Sequence, residues 1–227
     1  MTVTDDKTVV REYFNATGFD RWQRIYGDGD VNKVQLDIRT GHQQTVDTLL
    51  GWLHADDNLP GLTYCDAGCG VGSLAIPLAQ AGAQVYASDI SAKMVEEAQR
   101  RAQAELPTEK MPTFEVKDLE SLGGRYHTVI CLDVLIHYPQ EQVQGMVAHL
   151  SSLAESRLVL SFAPKTCFYT ALKKVGEFFP GPSKTTRAYL HREADIVKVL
   201  EAEGWRIERR AMTKTRFYFS RLVEALR

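Results

Sequence analysis

Three glycines and one aspartate near the middle of the chain have the types and spacing of a ligand-binding turn. Gly68, Gly70 and Gly72 alternate with small residues, and Asp66 stands two positions before the first glycine. Because glycine has no Cβ, such a turn lets backbone N–H groups approach a ligand closely. A short apolar stretch precedes the turn, and residues 71–81 follow it with helical apolar spacing. The pattern predicts a strand, a turn and a helix N-terminus, where N–H groups and partial positive charge collect.

The spacing of these glycines favours S-adenosylmethionine over a dinucleotide as the ligand. A dinucleotide fold carries Gly-x-Gly-x-x-Gly with the helix N-terminus facing a pyrophosphate, whereas this turn is Gly-x-Gly-x-Gly. Asp66 at the strand end would repel a pyrophosphate but suits an ammonium group. A nucleoside that carries an amino acid fits both features, which predicts S-adenosylmethionine as cofactor and S-adenosylhomocysteine as product. A plain tight turn and a dinucleotide reductase are the alternatives.

Further polar residues come at the ends of the other predicted strands. Asp89 is placed to accept both ribose hydroxyls and Asp118 to accept the adenine amine, although each could instead be a solvated loop acid. Asp133 and His137 follow a fourth strand. The carboxyl ends of parallel strands meet at one rim, where open α/β sheets bind their ligands. The predicted cofactor-binding residues at this rim are Asp66, Gly68, Cys69, Gly70, Gly72, Ser73, Asp89, Ile90, Ser91, Met94, Asp118, Leu119, Leu132 and Asp133.

The order of predicted elements indicates an α/β, Rossmann-like core. Strands alternate with helices up to residue 162, and a hairpin closes the chain, so we expect a seven-stranded, mostly parallel sheet with a closing antiparallel hairpin. Residues 1–56 are predicted to form an N-terminal helical cap, residues 57–227 the core, and residues 165–187 an insertion that adds to the cap. The predicted strands are 62–65, 84–88, 112–116, 127–132, 158–162, 205–212 and 216–222, and the predicted helices are 8–14, 31–53, 71–81, 92–104, 140–153 and 193–203.

Composition excludes several classes of partner. The 227 residues carry a net charge of −2, which argues against binding to a nucleic acid backbone. No apolar run has the length of a membrane span, and the polar N-terminus lacks a signal core. We therefore expect a protein that is made and kept inside the cell or an organelle. The cysteines, Cys65, Cys69, Cys131 and Cys167, lack zinc-ligand spacing, so no resident metal is predicted. They are interpreted as buried thiols, with a redox-sensitive pair of Cys65 and Cys131 as the alternative.

On these motifs the chain resembles the class I S-adenosylmethionine-dependent methyltransferases, and more closely the magnesium-protoporphyrin IX methyltransferase family of chlorophyll biosynthesis. The closer resemblance covers nearly the whole chain. It is carried by residues 18–22, 24–29, 31–35, 38–42 and 131–139. It implies methylation of one propionate carboxyl of magnesium protoporphyrin IX. It also implies a functional link to the magnesium chelatase large subunit, and leaves room for peripheral contact with photosynthetic membranes.

The implied reaction needs alignment more than proton transfer. A propionate resembles a Glu side chain with a pKa of about 4.3, so it is ionised at neutral pH and needs no strong general base. The protein must align the carboxylate with the methyl group and remove water from it. His137, after the fourth strand, and Tyr26, in the aromatic cap, are the predicted catalytic residues that orient the propionate. Each could instead serve packing alone.

Other residues are weaker candidates for contact with a flat, charged macrocycle. Arg39 is also a candidate for the cofactor carboxylate. The candidates for contact with the apolar faces of the macrocycle are Trp22, Ile25, Leu135, Ile136, Phe168, Tyr169 and Phe178. The candidates for pairing with its carboxylates are Arg21, Arg24, Lys165, Lys173 and Arg187. Two rival functions stay open: methylation of another small ring such as a quinol, and a module that escorts porphyrin without catalysis.

Overall fold

The fold is a single seven-stranded sheet with helices on both faces. A computed structural model describes residues 6–26, 29–56, 59–165 and 189–227. The strands are β1 (Thr63–Ala67), β2 (Gln84–Asp89), β3 (Thr113–Val116), β4 (Tyr126–Cys131), β5 (Ala154–Phe162), β6 (Arg206–Lys214) and β7 (Phe219–Leu226). Their order is β3-β2-β1-β4-β5-β7-β6, with β1 to β5 parallel and β7 antiparallel to both of its neighbours. The predicted fold class is confirmed.

Six predicted helices occur, with shifts at their ends, and the structure adds Thr17–Tyr26 in the predicted cap, which was not predicted as a separate helix. The helices are α1 (Asp6–Asn15), α2 (Thr17–Tyr26), α3 (Lys33–Ala55), α4 (Ala75–Gln80), α5 (Ala92–Glu105), α6 (Gln140–Leu153) and α7 (Glu193–Ala202). Three short 3-10 turns lie between α5 and α6, at Thr108–Lys110, Leu119–Ser121 and Leu135–His137. Among the described residues, no helix combines the length and apolar character that crossing a bilayer requires.

Two predicted boundaries beside the glycine turn were wrong. The helix after the turn begins at Ala75 rather than at residue 71. Gly70 and Gly72 have φ values of +52° and +85°, which a right-handed helix cannot contain, so the chain turns there first. Strand β1 also runs on through Asp66 and Ala67, because both pair with β2. Asp66 therefore lies inside the sheet instead of in the loop after it.

Two apolar clusters sandwich the sheet and fix where its strand ends lie. Helices α6 and α7 cover one face, where Leu150 and Ile196 are buried with Cys65 of β1. Helices α3, α4 and α5 cover the other face, where Leu49 is buried with Tyr64 of the same strand. Successive residues of β1 thus enter opposite clusters, as the period of a strand requires. A sheet buried on both faces presents its polar residues at the strand ends.

Of the predicted cap, α1 and α2 lie over the rim, whereas the second half of α3 packs into the core. Arg39 of α3 donates hydrogen bonds to the carbonyls of Ile25 (2.7 Å) and Arg24 (2.7 Å), which ends α2. Its guanidinium is thereby engaged away from the cavity, which corrects its assignment to the cofactor carboxylate. Arg101 of α5 donates to the carbonyl of Tyr26 at 2.7 Å. The predicted insertion at residues 165–187 lies, apart from Lys165, outside the described residues.

The structure favours the interpretation of the cysteines as buried thiols. Cys65, Cys69 and Cys131 are free and buried. Burial raises the pKa of Cys65 to about 12, so its thiol stays protonated and unreactive at neutral pH. Cys167 lies outside the described residues.

Candidate functional site

One cavity of about 430 Å³ lies between the carboxyl ends of the parallel strands and the N-terminal cap. It joins the glycine turn to the aromatic side chains of α1 and α2. Both predicted catalytic residues, Tyr26 and His137, line it. The predicted cofactor-binding residues that line it are Gly68, Cys69, Gly70, Ser73, Asp89, Ile90, Met94, Asp118, Leu119, Leu132 and Asp133. The rim and the cap therefore form a single site.

The glycine turn is anchored at one end and open at the other. The N–H groups of Gly68 and Cys69 both donate to the carbonyl of Ser88, each at 2.8 Å. Gly68 has a φ of +89°, and a Cβ there would overlap the side chain of Val134. Gly70 has no neighbouring atom within 4 Å of its Cβ position, so space for a ligand adjoins its backbone. Gly72 instead lies behind the cavity wall, where its missing Cβ lets Ile76 approach α5.

Two buried carboxylates support this turn. Asp89 accepts hydrogen bonds from the N–H groups of Gly70 (3.1 Å) and Ser91 (2.8 Å). Burial raises the pKa of Asp89 to about 6, although these two bonds oppose the shift. Asp66 lies behind the wall, and burial, together with the charge of Asp89, raises its pKa to about 7. Within the described residues, Oδ2 of Asp66 has no hydrogen-bond partner. Acceptors with spare capacity suit a ligand with an ammonium group and ribose hydroxyls.

The adjoining loops hold the remaining predicted cofactor residues. Ser91 is the N-cap of α5, as predicted, and accepts the N–H of Met94 at 3.3 Å. It lies behind the wall, where its hydroxyl is 2.9 Å from Oδ1 of Asn15 in the cap. Asp118 accepts the N–H of Ser121 at 2.9 Å and so begins a 3-10 turn. Its second oxygen is 3.6 Å from Arg11 of α1, so the cap also contacts the predicted adenine end of the site.

His137 and Tyr26 are neutral hydrogen-bonding groups in apolar surroundings. Burial lowers the pKa of His137 to about 4, so its imidazole is neutral at pH 7. Its Nδ1 is buried with no hydrogen-bond partner in the described part of the chain. The ring of Phe14 packs edge-on against it at 5.3 Å. Burial, with Asp133 and Asp89 nearby, raises the pKa of Tyr26, which keeps its hydroxyl protonated. Both groups can therefore bind a substrate without changing charge.

A polar network centred on Asp133 was not foreseen from the sequence. Oδ2 accepts hydrogen bonds from His42 Nδ1 (3.0 Å) and the Tyr218 hydroxyl (2.6 Å), and Oδ1 from the hydroxyls of Ser161 (2.8 Å) and Ser220 (3.0 Å). His42 and Tyr218 both line the cavity. His42 lies on the apolar stripe of α3, a position that by itself predicts only a buried or half-buried histidine whose polar atoms are satisfied. The neighbouring Gly41 was the available signal, since it leaves room for another ring beside α3.

The weaker candidates for contact with the macrocycle differ in whether they line the cavity. Trp22 and Ile136 line the cavity. Ile25 and Leu135 are fully buried, so their assignment to the macrocycle faces is corrected to core packing. Arg24 and Lys165 are exposed and do not line the cavity. The side chain of Arg21 and the whole of Phe168, Tyr169, Lys173, Phe178 and Arg187 lie outside the described residues.

Comparison with known proteins identifies the family. A family model described as magnesium-protoporphyrin IX methyltransferase C-terminus matches residues 131–227, and a general methyltransferase-domain model matches residues 65–156. The magnesium-protoporphyrin O-methyltransferase of Synechocystis sp. is 68% identical over 223 residues, which cover 98% of this chain and 97% of the relative. The chain belongs to the magnesium-protoporphyrin O-methyltransferase family.

Other members agree in sequence and in fold. The chloroplastic magnesium protoporphyrin IX methyltransferase of Arabidopsis thaliana is 63% identical over 222 residues, covering 97% of this chain and 71% of that protein. A crystal structure of the Synechocystis PCC 6803 enzyme with bound S-adenosylhomocysteine has a TM-score of 0.91 at 66% identity, covering 97% of this chain and 99% of that chain. A second structure of that enzyme has bound S-adenosylmethionine, with a TM-score of 0.89 at 60% identity, covering 100% and 99%. The class I fold and the predicted cofactor are thus confirmed.

The raised pKa values of Asp66 and Asp89 predict that cofactor binding depends on pH. Their values of about 7 and about 6 mean that both carboxyls are mostly protonated at low pH and ionise as pH rises. In their predicted roles the ionised forms would attract the ammonium and accept the ribose hydroxyls, so affinity should rise with pH. We expect S-adenosylhomocysteine to bind about tenfold more tightly at about pH 7.5 than at about pH 5.5 in calorimetry. Asp66→Asn should flatten the upper part of this curve, and a flat wild-type curve would contradict the assignment.

Proposed function

We propose that this chain transfers a methyl group from S-adenosylmethionine to one propionate carboxylate of magnesium protoporphyrin IX, forming the methyl ester used in chlorophyll biosynthesis. The observation that carries the proposal is the single cavity shared by the glycine turn, His137 and the aromatic cap. Such a cavity brings a methyl donor and a large apolar acceptor together. Membership of the magnesium-protoporphyrin O-methyltransferase family gives the acceptor its identity.

The chemistry needs no proton to move. The bound cofactor supplies an electrophilic methyl group on a sulfonium, which a carboxylate oxygen attacks in line as the C–S bond breaks. The protein therefore needs groups that bind and align the carboxylate, not a base that activates it. The neutral state of His137 and the protonated state of Tyr26 suit this task. Each can donate a hydrogen bond to the propionate and orient it toward the glycine turn.

The rim residues are proposed to hold the cofactor along the ends of the strands. Asp89 would accept the ribose hydroxyls, Asp118 the adenine amine, and Asp66 would attract the ammonium group from behind the turn. Met94, buried at the start of α5, would cover one face of the adenine. These proposed contacts are supported by the cavity itself, because Asp89, Asp118 and Met94 line it together with Gly70. Open space adjoins the backbone of Gly70.

The cap is proposed to exclude water from the reacting carboxylate. Phe14 and Trp22 line the cavity above His137 and Tyr26, and the Trp22 and Tyr26 rings stack at 5.5 Å. A desolvated carboxylate is a stronger nucleophile, because it no longer gives up hydration on reaching the transition state. These aromatic rings would also contact the faces of the macrocycle.

Turnover with alternative acceptors tests the proposal directly. The purified chain, supplied with S-adenosylmethionine and magnesium protoporphyrin IX, should form S-adenosylhomocysteine and a porphyrin monomethyl ester, detected by chromatography and mass spectrometry. A quinol tested in parallel should give no product above background. Methylation of the quinol alone would point to a different small-ring methyltransferase. Tight porphyrin binding without any methyl transfer would support the escort function instead.

Variants of the two proposed catalytic residues should lose turnover while keeping the cofactor. We expect His137→Ala and Tyr26→Phe each to lower kcat by about tenfold, because each removes one hydrogen bond that aligns the propionate. The affinity for S-adenosylhomocysteine should stay within about twofold, since in the described part of the chain neither side chain hydrogen-bonds to a residue proposed to hold the cofactor. The matched control is His54→Ala, because His54 is an exposed histidine of α3. Unchanged turnover in both variants would remove these residues from the reaction.

We also propose that the chain receives its substrate from the magnesium chelatase large subunit and works at the surface of photosynthetic membranes. A flat apolar macrocycle is more favourably passed between proteins than released into water. Phe217 lines the cavity yet is 46% exposed, so it is a candidate contact for the delivering surface. Phe217→Ser should then slow methylation of chelatase-bound substrate more than of free substrate. Sedimentation with anionic liposomes tests the membrane contact separately.

A further inference from the structure

We propose that His42 binds the central magnesium of the porphyrin through Nε2 as its axial ligand, and that Asp133 and Tyr218 position it for this role. The inference rests on the proposed function, because it concerns the same substrate. It starts from the polar network on Asp133 that the methyl transfer leaves without a task.

The imidazole of His42 is held at one nitrogen and available at the other. Nδ1 lies 3.0 Å from Oδ2 of Asp133. In the described part of the chain, Nε2 has no hydrogen-bond partner. The side chain is 12% exposed and lines the cavity. Histidines that bind metals almost always donate their other N–H to a carboxylate, a backbone carbonyl or water, which fixes the tautomer and raises the basicity of the free nitrogen.

The carboxylate of Asp133 already accepts hydrogen bonds from four side chains, so it has no free acceptor position for a ligand. Its oxygens accept hydrogen bonds from His42, Tyr218, Ser161 and Ser220. Burial alone would raise its pKa, but these bonds outweigh it and hold the pKa below the usual value. The residue also adopts a φ of +58°, which is uncommon for a side chain with a Cβ. A strained, ionised carboxylate with every lone pair engaged is a fixed support for the imidazole.

Gly41 and Asp37 bring Tyr218 into this support. A Cβ at Gly41 would overlap the Tyr218 ring, so the glycine lets that ring lie against α3. The Tyr218 hydroxyl then reaches Asp133 at 2.6 Å. Asp37 holds the turn before Tyr218 by accepting the Thr215 hydroxyl at 2.6 Å. Helix α3, the end of β4 and the turn between β6 and β7 thus converge on His42.

The chemistry at Nε2 favours a metal over a second carboxylate contact. With Nδ1–H given to Asp133, Nε2 is the ring nitrogen left to bind a metal through its lone pair. That lone pair repels a propionate but can complete the coordination of a magnesium ion whose four in-plane positions the macrocycle fills. The Tyr26 ring lies 4.6 Å from the His42 ring and limits its rotation. His137 lines the same cavity as His42, so metal binding at His42 would hold the macrocycle in the cavity that the proposed catalytic residues share.

The test compares porphyrins with and without the metal. Magnesium protoporphyrin IX and metal-free protoporphyrin IX carry the same propionates and differ at the centre. The wild-type chain with S-adenosylhomocysteine should bind the magnesium form about tenfold more tightly, and His42→Ala should abolish that preference. Affinity for the metal-free form and for S-adenosylhomocysteine should change less than about twofold. His54→Ala should behave as the wild type.

Spectroscopy separates ligation from packing. The magnetic circular dichroism of bound magnesium protoporphyrin should show a nitrogen axial ligand in the wild type and lose it in His42→Ala. Added imidazole should restore both the signal and the preference. Tyr218→Phe, which removes one bond to Asp133 but keeps the ring, should lower the preference by about threefold. An equal loss of both porphyrins in His42→Ala, or an unchanged spectrum, would overturn the inference. Wild-type methyl transfer, measured separately, tests the proposed function whichever result this experiment gives.

Discussion

Gly68→Ala is expected to weaken the binding of S-adenosylhomocysteine by about 100-fold. The φ of +89° at Gly68 strains any residue with a Cβ, at about 1–3 kcal/mol. The new Cβ would also overlap Val134, so the turn must leave its hydrogen bonds to Ser88. A cost of about 2.7 kcal/mol to restore the binding geometry corresponds to this loss. Isothermal titration at pH 7.5 measures the affinity directly.

Two further variants separate backbone strain from the overlap. Gly61 also has a positive φ, of +80°, but a Cβ there meets no atom within 4 Å, and the residue does not line the cavity. Gly61→Ala should therefore destabilise the fold by about 1 kcal/mol and leave the affinity unchanged. Adding Val134→Ala to Gly68→Ala should recover part of the lost binding, because it removes the overlapping methyl group. Full affinity in the Gly68→Ala single variant would show that the turn does not hold the cofactor.

Asp133→Ala should lower the free energy of unfolding by about 3–5 kcal/mol. The change leaves His42, Tyr218, Ser161 and Ser220 in a largely buried region without their shared acceptor. The positive φ also persists, so the strain is not relieved. Urea denaturation at pH 7, followed by circular dichroism, gives the difference.

Two further measurements test the loss of stability expected for Asp133→Ala: a variant of an exposed aspartate, and the same comparison at lower pH. Asp47 of α3 is exposed and accepts one bond from Gln43, so Asp47→Ala should change stability by less than about 0.5 kcal/mol. The native pKa of Asp133 lies below its unfolded value, so its contribution is present above the unfolded pKa of about 3.9 and is lost as pH falls through the native pKa. The difference between wild type and Asp133→Ala should therefore shrink in acid. A difference that is small at pH 7 would mean that the network does not stabilise the fold.

Local pattern was sufficient to predict the cofactor. The glycine spacing, the carboxylates at strand ends and the Ser91 cap are each set within a few residues of sequence, so their chemistry can be inferred without the fold. Parallel pairing then brings Asp89, Asp118 and His137 to one rim, because parallel strands share a direction. The errors near the turn came from the backbone, since positive φ values at Gly70 and Gly72 delay the helix to Ala75.

The sequence by itself determined the fold class, the cofactor and the family, because those properties lie in short motifs and in the alternation of strands and helices. Only the tertiary structure decided which groups surround His42. Its hydrogen-bond partner Asp133 is 91 positions away along the chain. Tyr218, which bonds to the same carboxylate, is 176 positions from His42. Spacing along the chain gives no sign of contacts between residues so far apart. Only the folded chain brings α3 and the turn between β6 and β7 to the end of β4, where one strained carboxylate orients the imidazole toward the cavity.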